Sequence, residues 1–276
     1  MLFRSDGIGY EAAKLLLAQG HHLIVHGRNP TKLQRTVADL TSNDTEGKII
    51  DSIVADLSSI NEVQSMGQRI LEKHDRIDVL INNAGVFKVP PNDDVTSIDG
   101  LDKRFAVNTI APYLLTKTVL PIIPKHTGRV VNVSSAAEAP VDLQAVAGRQ
   151  HKSTPPLSDF NAYSQSKLGI TMWTYGLSKQ YTDRCFVSVN PASMLGTKMV
   201  KEGFGVQGND IRIGATILFE MATVTKYGDI QHVSGRYYDN DHQRFASPRY
   251  AKEAFDLHKC QRLMNVIDTI IDEKVK

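Results

Sequence analysis

A chain of 276 residues with 41% hydrophobic and 22% charged side chains can bury one large core, which excludes a disordered tail and predicts a single domain over 1–276. Its 32 Lys plus Arg nearly cancel 30 Asp plus Glu, leaving no strong positive field to hold a polyanion, so nucleic acid is excluded as the main partner. Cys185 and Cys260 lie far apart and outside Cys-x-x-Cys spacing, and no apolar run reaches the ~18 residues of a membrane span; together these predict a soluble cytoplasmic protein with neither a disulfide framework nor a structural zinc.

Along the chain, short β-branched runs alternate with longer amphipathic stretches, the pattern of strands and crossover helices in a parallel sheet. In order, the periodicity predicts a helix over 9–19, a strand over 22–26, a helix over 30–40 and a strand over 49–54. A helix over 60–74, a strand over 79–82, a helix over 100–123 and a strand over 129–133 follow. The remainder is a helix over 159–181, a strand over 186–190, a helix over 210–224, a strand over 233–238 and a last helix over 248–272. Right-handed crossovers wind such units into one open, doubly wound α/β sheet, with ligands beyond the carboxyl ends of the strands. No strand precedes the first helix, although a phosphate-cradling glycine loop normally follows one. The expectation is that the first strand of the sheet is missing, so that either the true start lies upstream or the protein is damaged.

The loops carry an ordered set of motifs. Gly7-Ile8-Gly9 opens the first helix, and His26-Gly27-Arg28-Asn29 ends the next strand. Ala55-Asp56-Leu57, Asn82-Asn83-Ala84-Gly85 and Val133-Ser134-Ser135 end the following three. Tyr163-Ser164-Gln165-Ser166-Lys167 then opens a helix, and Asn190-Pro191 ends a strand with Thr197 just beyond. In that order and at those places the residues resemble the short-chain dehydrogenase/reductase family over nearly the whole chain. The long segment between Ser135 and Tyr163, with Tyr237-Tyr238-Asp239-Asn240-Asp241, looks closest to the branch of retinol dehydrogenases and the WW-domain oxidoreductase. The resemblance implies a Rossmann-type NAD(P)-binding fold and an oxidoreductase acting on a CH–OH or C=O group.

The Tyr-x-x-x-Lys spacing alone identifies nothing: nine Tyr and 18 Lys give about 0.6 such pairs from composition, and four occur. Tyr10/Lys14, Tyr113/Lys117 and Tyr175/Lys179 share the spacing of Tyr163/Lys167, but only the last opens the helix that follows Ser134-Ser135. Four apart on a helix, Tyr163 and Lys167 point to one side, where an ammonium can lower a phenol from its usual pKa of ~10 toward the working range of an acid/base. By the resemblance, Tyr163 exchanges the substrate proton, Ser135 polarises the substrate oxygen, and Lys167 also holds the nicotinamide ribose. Asn108 then kinks its helix and holds a proton-relay water. Ser135 stands 28 residues before Tyr163, so the intervening segment must loop out, and Ser134 should face away from the site if the strand persists.

The resemblance assigns cofactor contacts to Ser5, Gly7, Ile8, Gly9, Arg28, Asp56, Leu57, Asn82, Ala84, Tyr163, Lys167 and Thr197. An arginine after the second strand suits a 2′-phosphate, where an acid would hold free ribose hydroxyls. Arg28 occupies that place, which predicts NADP in preference to NAD, with Arg4 as a further phosphate contact. Against the family pattern, Leu2 and Phe3 stand where Thr and Gly are usual, and Pro191-Ala192 replaces Pro-Gly. Met194, Leu195, Met199, Phe204 and Val206 are expected to cover the nicotinamide and to select a lipophilic carbonyl or alcohol. No metal is expected, and the family's association through helices such as 100–123 and 159–181 implies a homodimer or homotetramer. The alternative reading, motivated by the missing strand and Phe3, is a non-catalytic relative acting as a binding protein.

Overall fold

The computed structural model describes residues 7–42, 45–90, 92–149, 157–223, 227, 230–247 and 249–275. In chain order it contains α1 (Ile8–Ala18), β1 (Leu23–Gly27), α2 (Pro30–Thr41), β2 (Ile49–Val54), α3 (Ile60–Lys73) and β3 (Val79–Asn82). Next come α4 (Lys103–Phe105), a π-helical turn (Ala106–Ile110), α5 (Ala111–Val119), β4 (Arg129–Val133), α6 (Leu143–Val146), α7 (Asp159–Gln180) and β5 (Cys185–Asn190). The last elements are α8 (Lys198–Phe204), α9 (Ile211–Thr223), α10 (Ile230–Val233), β6 (Tyr237–Asp239), β7 (Arg244–Ala246), α11 (Ala251–Ala254) and α12 (Leu257–Lys274).

The central strands β4 and β5 are buried at every position, as apolar runs covered on both faces require. Helix starts are set by side-chain caps. Asn29 accepts from the Lys32 N–H ahead of Pro30 at the start of α2, and Ser158 accepts from the Asn161 N–H at the start of α7. The strands form two parallel ladders, β1–β2 and β3–β4–β5–β6, the second closed by the antiparallel strand β7. Among the described residues no strand joins β1 to β3. The two ladders are held in one body by helices on either side. Leu23 and Val25 of β1 share a core with Ile81, Val131 and Val187 beneath α1 and α9, while Ile24 shares the opposite core with Leu80, Val130 and Phe186 beneath α3, α5 and α7. This is a Rossmann-like, doubly wound arrangement.

Several expected boundaries shift. The predicted helix over 100–123 is broken by the π-turn, and the predicted strand over 233–238 begins only at Tyr237, because α10 ends at Val233 and a turn at Gly235 intervenes. The expected last helix splits into α11 and α12 around an Asp256 cap that accepts from the His258 and Lys259 N–H groups. The strand β7 and the short helices α6 and α8 carry too few residues for a periodicity to register.

Candidate active site

Loops from the carboxyl ends of the strands meet over β3, β4 and β5 around a cavity of about 310 Å³ lined by Gly7, Gly85, Ser135, Tyr163, Lys167 and Thr197, among others. Ser135, Thr197 and the Tyr163/Lys167 pair arrive from three different parts of the chain, the pair from one helix. Ser135 leaves β4 one residue after Ser134, and the two diverge as pleat alternation requires. The Ser134 hydroxyl turns into the core, bonding the Lys167 carbonyl at 2.9 Å and Thr171 Oγ1 at 2.8 Å, while Ser135 faces the cavity.

Tyr163 stands one turn into α7, with the Lys167 Nζ 5.7 Å from its ring centroid. The Lys167 side chain is buried, and its ammonium donates to the Val133 carbonyl at 2.7 Å. Burial pushes the Lys167 pKa down to about 8. Burial also raises the Tyr163 phenol above its ordinary value, opposed by a hydrogen bond with Ser135. The expectation that Lys167 lowers the phenol is therefore not met in this state: desolvation of both groups dominates, and Ser135 supplies the lowering interaction.

Asn108 lies at the centre of the π-turn, where the widened helix lets its side chain reach back to a strand-end loop. Its Oδ1 accepts from the Val86 N–H at 2.8 Å, and its Nδ2 donates to the Val86 carbonyl and to Ser166 Oγ, both at 2.9 Å. The carboxamide thus ties the loop after β3 to α7. Gly85 sits within this cluster: a Cβ there would approach Asn108 Oδ1 and Lys167 Nζ to 3.5 Å each.

Gly7 has a φ of 72°, a backbone conformation that glycine adopts without strain, and it packs toward Thr197, 190 positions away in sequence. Ile8 also lines the cavity, and Gly9 is buried at the start of α1. Thr197 caps α8, accepting from the Val200 N–H. Ser5 and Arg4, with Leu2 and Phe3, lie outside the described residues. A narrow gap between β1 and β3 is lined by His26, Leu57, Asn82 and Ala84, and Asn83 borders both that gap and the main cavity. Arg28 is exposed at the end of β1. A separate open groove runs from Gly7 past Asn29, Lys32 and Arg35 to Asp39.

Two of the expected cofactor residues have structural duties for their side chains. Asn82 is buried and donates to Asn132 Oδ1 at 2.7 Å and Thr116 Oγ1 at 3.1 Å, so its carboxamide cross-links the core. Asp56 uses one carboxylate oxygen to close its own turn, accepting from the Ser58 N–H and hydroxyl. Of the expected apolar cover, Met194, Leu195, Met199 and Phe204 line the cavity, whereas Val206 is exposed outside it. Sequence reasoning passed over Phe87 and Phe160. Phe87 meets the Tyr163 ring edge-on at 5.1 Å and stacks on Phe204 at 5.2 Å. Its place two residues past Gly85 was the signal, and Phe160 lies three residues before Tyr163 on the same helical face.

Glu138, three residues past Ser135, is 5% exposed, and neither carboxyl oxygen makes a well-formed hydrogen bond among the described residues. Burial, with the charge of Asp239 adding to it, pushes this carboxyl up to about 8, against weaker lowering by the Tyr250 and Arg249 backbone and the Thr171 hydroxyl.

Comparison with known proteins gives the class first: residues 4–204 match the short chain dehydrogenase family, and the chain belongs to it. Human polyprenol dehydrogenase is 33% identical over 180 residues, covering 63% of this chain and 52% of that protein. Human retinol dehydrogenase 13 is 30% identical over 179 residues, covering 64% and 52%. The chain thus spans about half the length of these two relatives. The chloroplastic short-chain dehydrogenase TIC 32 A of Brassica napus is 30% identical over 254 residues, covering 85% of this chain and 77% of that protein. Among solved structures, an uncharacterised protein of Mycobacterium paratuberculosis superposes with a TM-score of 0.75 at 20% identity, covering 98% of this chain and 92% of that one. A short chain dehydrogenase of Shigella flexneri complexed with NADP gives 0.63 at 24% identity, covering 87% and 95%. These structures share the fold.

Proposed function

We propose that this chain is an NADP-dependent oxidoreductase that interconverts a lipophilic alcohol and its carbonyl compound. The observation that carries the reading is the meeting of Ser135, from the loop after β4, with Tyr163 and Lys167 of α7 at one apolar cavity, while Asn108 braces α7 from behind through Ser166. The residues present fit a dinucleotide: Gly85 is a cradle that a side chain would fill, and Gly7 leaves the amino end of α1 open beside Thr197. When bound there, the nicotinamide supplies or accepts a hydride at carbon. The chain's own residues do the rest. Ser135 donates a hydrogen bond to the substrate oxygen, where charge develops during reduction. Tyr163 gives that oxygen its proton, and takes it back in the reverse direction. Lys167, whose ammonium donates to the Val133 carbonyl in this structure, has further N–H groups with which to hold a ribose and to favour the ionised phenol. Asn108 fixes the loop that carries Gly85.

Arg28 supports the 2′-phosphorylated cofactor, and Lys32 and Arg35 along the adjacent groove add positive charge. The Shigella relative's complex with NADP agrees with this choice. The remaining assigned contacts, Gly9, Ile8, Asp56, Leu57, Asn82 and Ala84, follow the same track, the backbone of Asn82 serving where its side chain does not. Phe87, Met194, Met199 and Phe204 make the substrate wall apolar, and the polyprenol and retinol named for two relatives have that character. The buried thiols Cys185 and Cys260 suit a reducing compartment such as the cytoplasm, and association through α5 and α7 would give a homodimer or homotetramer.

The test is a titration of the chain with NADPH and NADH, followed by thermal stabilisation and nicotinamide fluorescence. A hundredfold excess over Kd stabilises the folded state by about 2.7 kcal/mol. Stabilisation by NADPH at concentrations where NADH has none is the expected result, reversed by Arg28→Asp. Folded protein that responds to neither overturns the reading and leaves a non-catalytic binding protein.

A further inference from the structure

The loop leaving β5 forms one wall of the cavity, from Asn190 through Val200. It holds two non-glycine residues at positive φ within three positions, Ala192 at 111° and Met194 at 54°. A backbone bent this way persists only where its surroundings over-determine it. On the downstream side the restraint is Asn209, whose N–H donates to the Met194 carbonyl at 2.6 Å and whose carbonyl accepts from the Gly196 N–H at 2.7 Å.

The upstream restraint comes from the turn between β6 and β7, about 50 residues further along the chain. Asp241 Oδ1 accepts from the Ser193 N–H at 2.7 Å, and its Oδ2 accepts from the Ser193 hydroxyl at 2.6 Å and from Asn190 Nδ2 at 2.9 Å. Asn240 adds two bonds, its N–H donating to the Asn190 carbonyl at 3.1 Å and its Nδ2 to the Pro191 carbonyl at 3.0 Å. Asp239 Oδ1 accepts from Asn190 Nδ2 at 3.0 Å and from the Asp241 N–H at 3.1 Å, which orients the turn itself. Asp241 does not line the cavity, yet one carboxylate takes both donors of the residue between the two strained positions.

We propose that Asp241 is a positioning residue that fixes the 190–194 wall of the cavity in its bent conformation, and so presets the pocket for its ligand. The consequence for cofactor binding rests on the function proposed above; the effect on the loop does not. Charge-assisted bonds to a carboxylate are the strong ones, and an amide at this place keeps an acceptor for the Ser193 N–H while presenting a donor toward Asn190 Nδ2. Asp241→Asn therefore retains part of what Asp241 supplies and Asp241→Ala none of it, leaving the upstream side of the loop only the bonds from Asn240 and Asp239.

The experiment is hydrogen exchange by mass spectrometry on the wild type, Asp241→Ala, Asp241→Asn and His242→Ala, with NADPH affinity measured by fluorescence on each. His242 bonds only the far oxygen of Asp239 and serves as the control. Expected is a tenfold or greater loss of protection confined to the peptide holding Ser193 and Gly196 in Asp241→Ala, an intermediate loss in Asp241→Asn and none in His242→Ala. The NADPH Kd should rise in the same order, about tenfold for Asp241→Ala. Unchanged exchange in that peptide overturns the proposal, as does a loss spread evenly over β4 and β5, which marks general destabilisation. Should Asp241→Ala fail to fold, Ser193→Ala removes one of the three bonds and is judged by the same peptide. A wild type that binds no NADPH counts against the proposed function alone, because the exchange pattern still decides the role of Asp241.

Discussion

Replacing Glu138 by Gln should change how stability depends on pH. In the fold the carboxyl is sealed from water and held at about 8, whereas in the unfolded chain it titrates near 4.5. The protonated form is therefore the one the fold favours: the stability tied to it is fully present below about pH 4.5 and is lost as pH rises toward 8. Each pH unit in that window removes about 1.4 kcal/mol, so between pH 5 and pH 8 the wild type should lose about 4 kcal/mol that a glutamine, which does not titrate, keeps. Other groups titrate equally in both proteins and cancel in the difference. Urea unfolding at half-unit intervals from pH 5 to 8 gives that difference directly. Glu138→Gln should be near the wild type at pH 5 and clearly more stable at pH 8, its melting temperature higher there by several degrees. A stability difference that stays constant across the range would refute the claim that the buried carboxyl is kept protonated.

Three further outcomes are expected. Tyr163→Phe should lower turnover by about 10²- to 10⁴-fold while NADPH affinity stays within about twofold, as steady-state kinetics beside a binding titration will show. Asn108→Ala leaves the N–H and carbonyl of Val86 without their partner and should cost about 3 kcal/mol in denaturant unfolding, and Asn108→Asp should cost at least as much, because although it still accepts from the N–H its second oxygen sets a buried charge against the Val86 carbonyl. Ala192→Gly should relieve the positive φ and raise the unfolding free energy by up to about 1 kcal/mol, measured by the same method.

The alternation of the parallel strands with the longer helices was legible along the chain, because periods of 2 and 3.6 are local properties, and motif order put Ser135, Tyr163, Lys167, Gly7 and Thr197 where they line the cavity. Also legible were the divergence of Ser134 from Ser135 and the helix distortion at Asn108, the first from strand alternation and the second from the family resemblance. Position after Ser134-Ser135 singled out Tyr163/Lys167 among the four Tyr/Lys pairs, but what surrounds that pair came from packing: all four place the ammonium within 5.7 Å of the ring centroid, and of the four only Tyr163/Lys167 lines the cavity. Solvation likewise set the direction of the Tyr163 and Lys167 shifts, which spacing on a helix cannot express. Asn82 went to a buried cross-link, and Asp241 reached the loop after β5 from about 50 residues away, because partners of a side chain are chosen by packing between elements that no local pattern encodes.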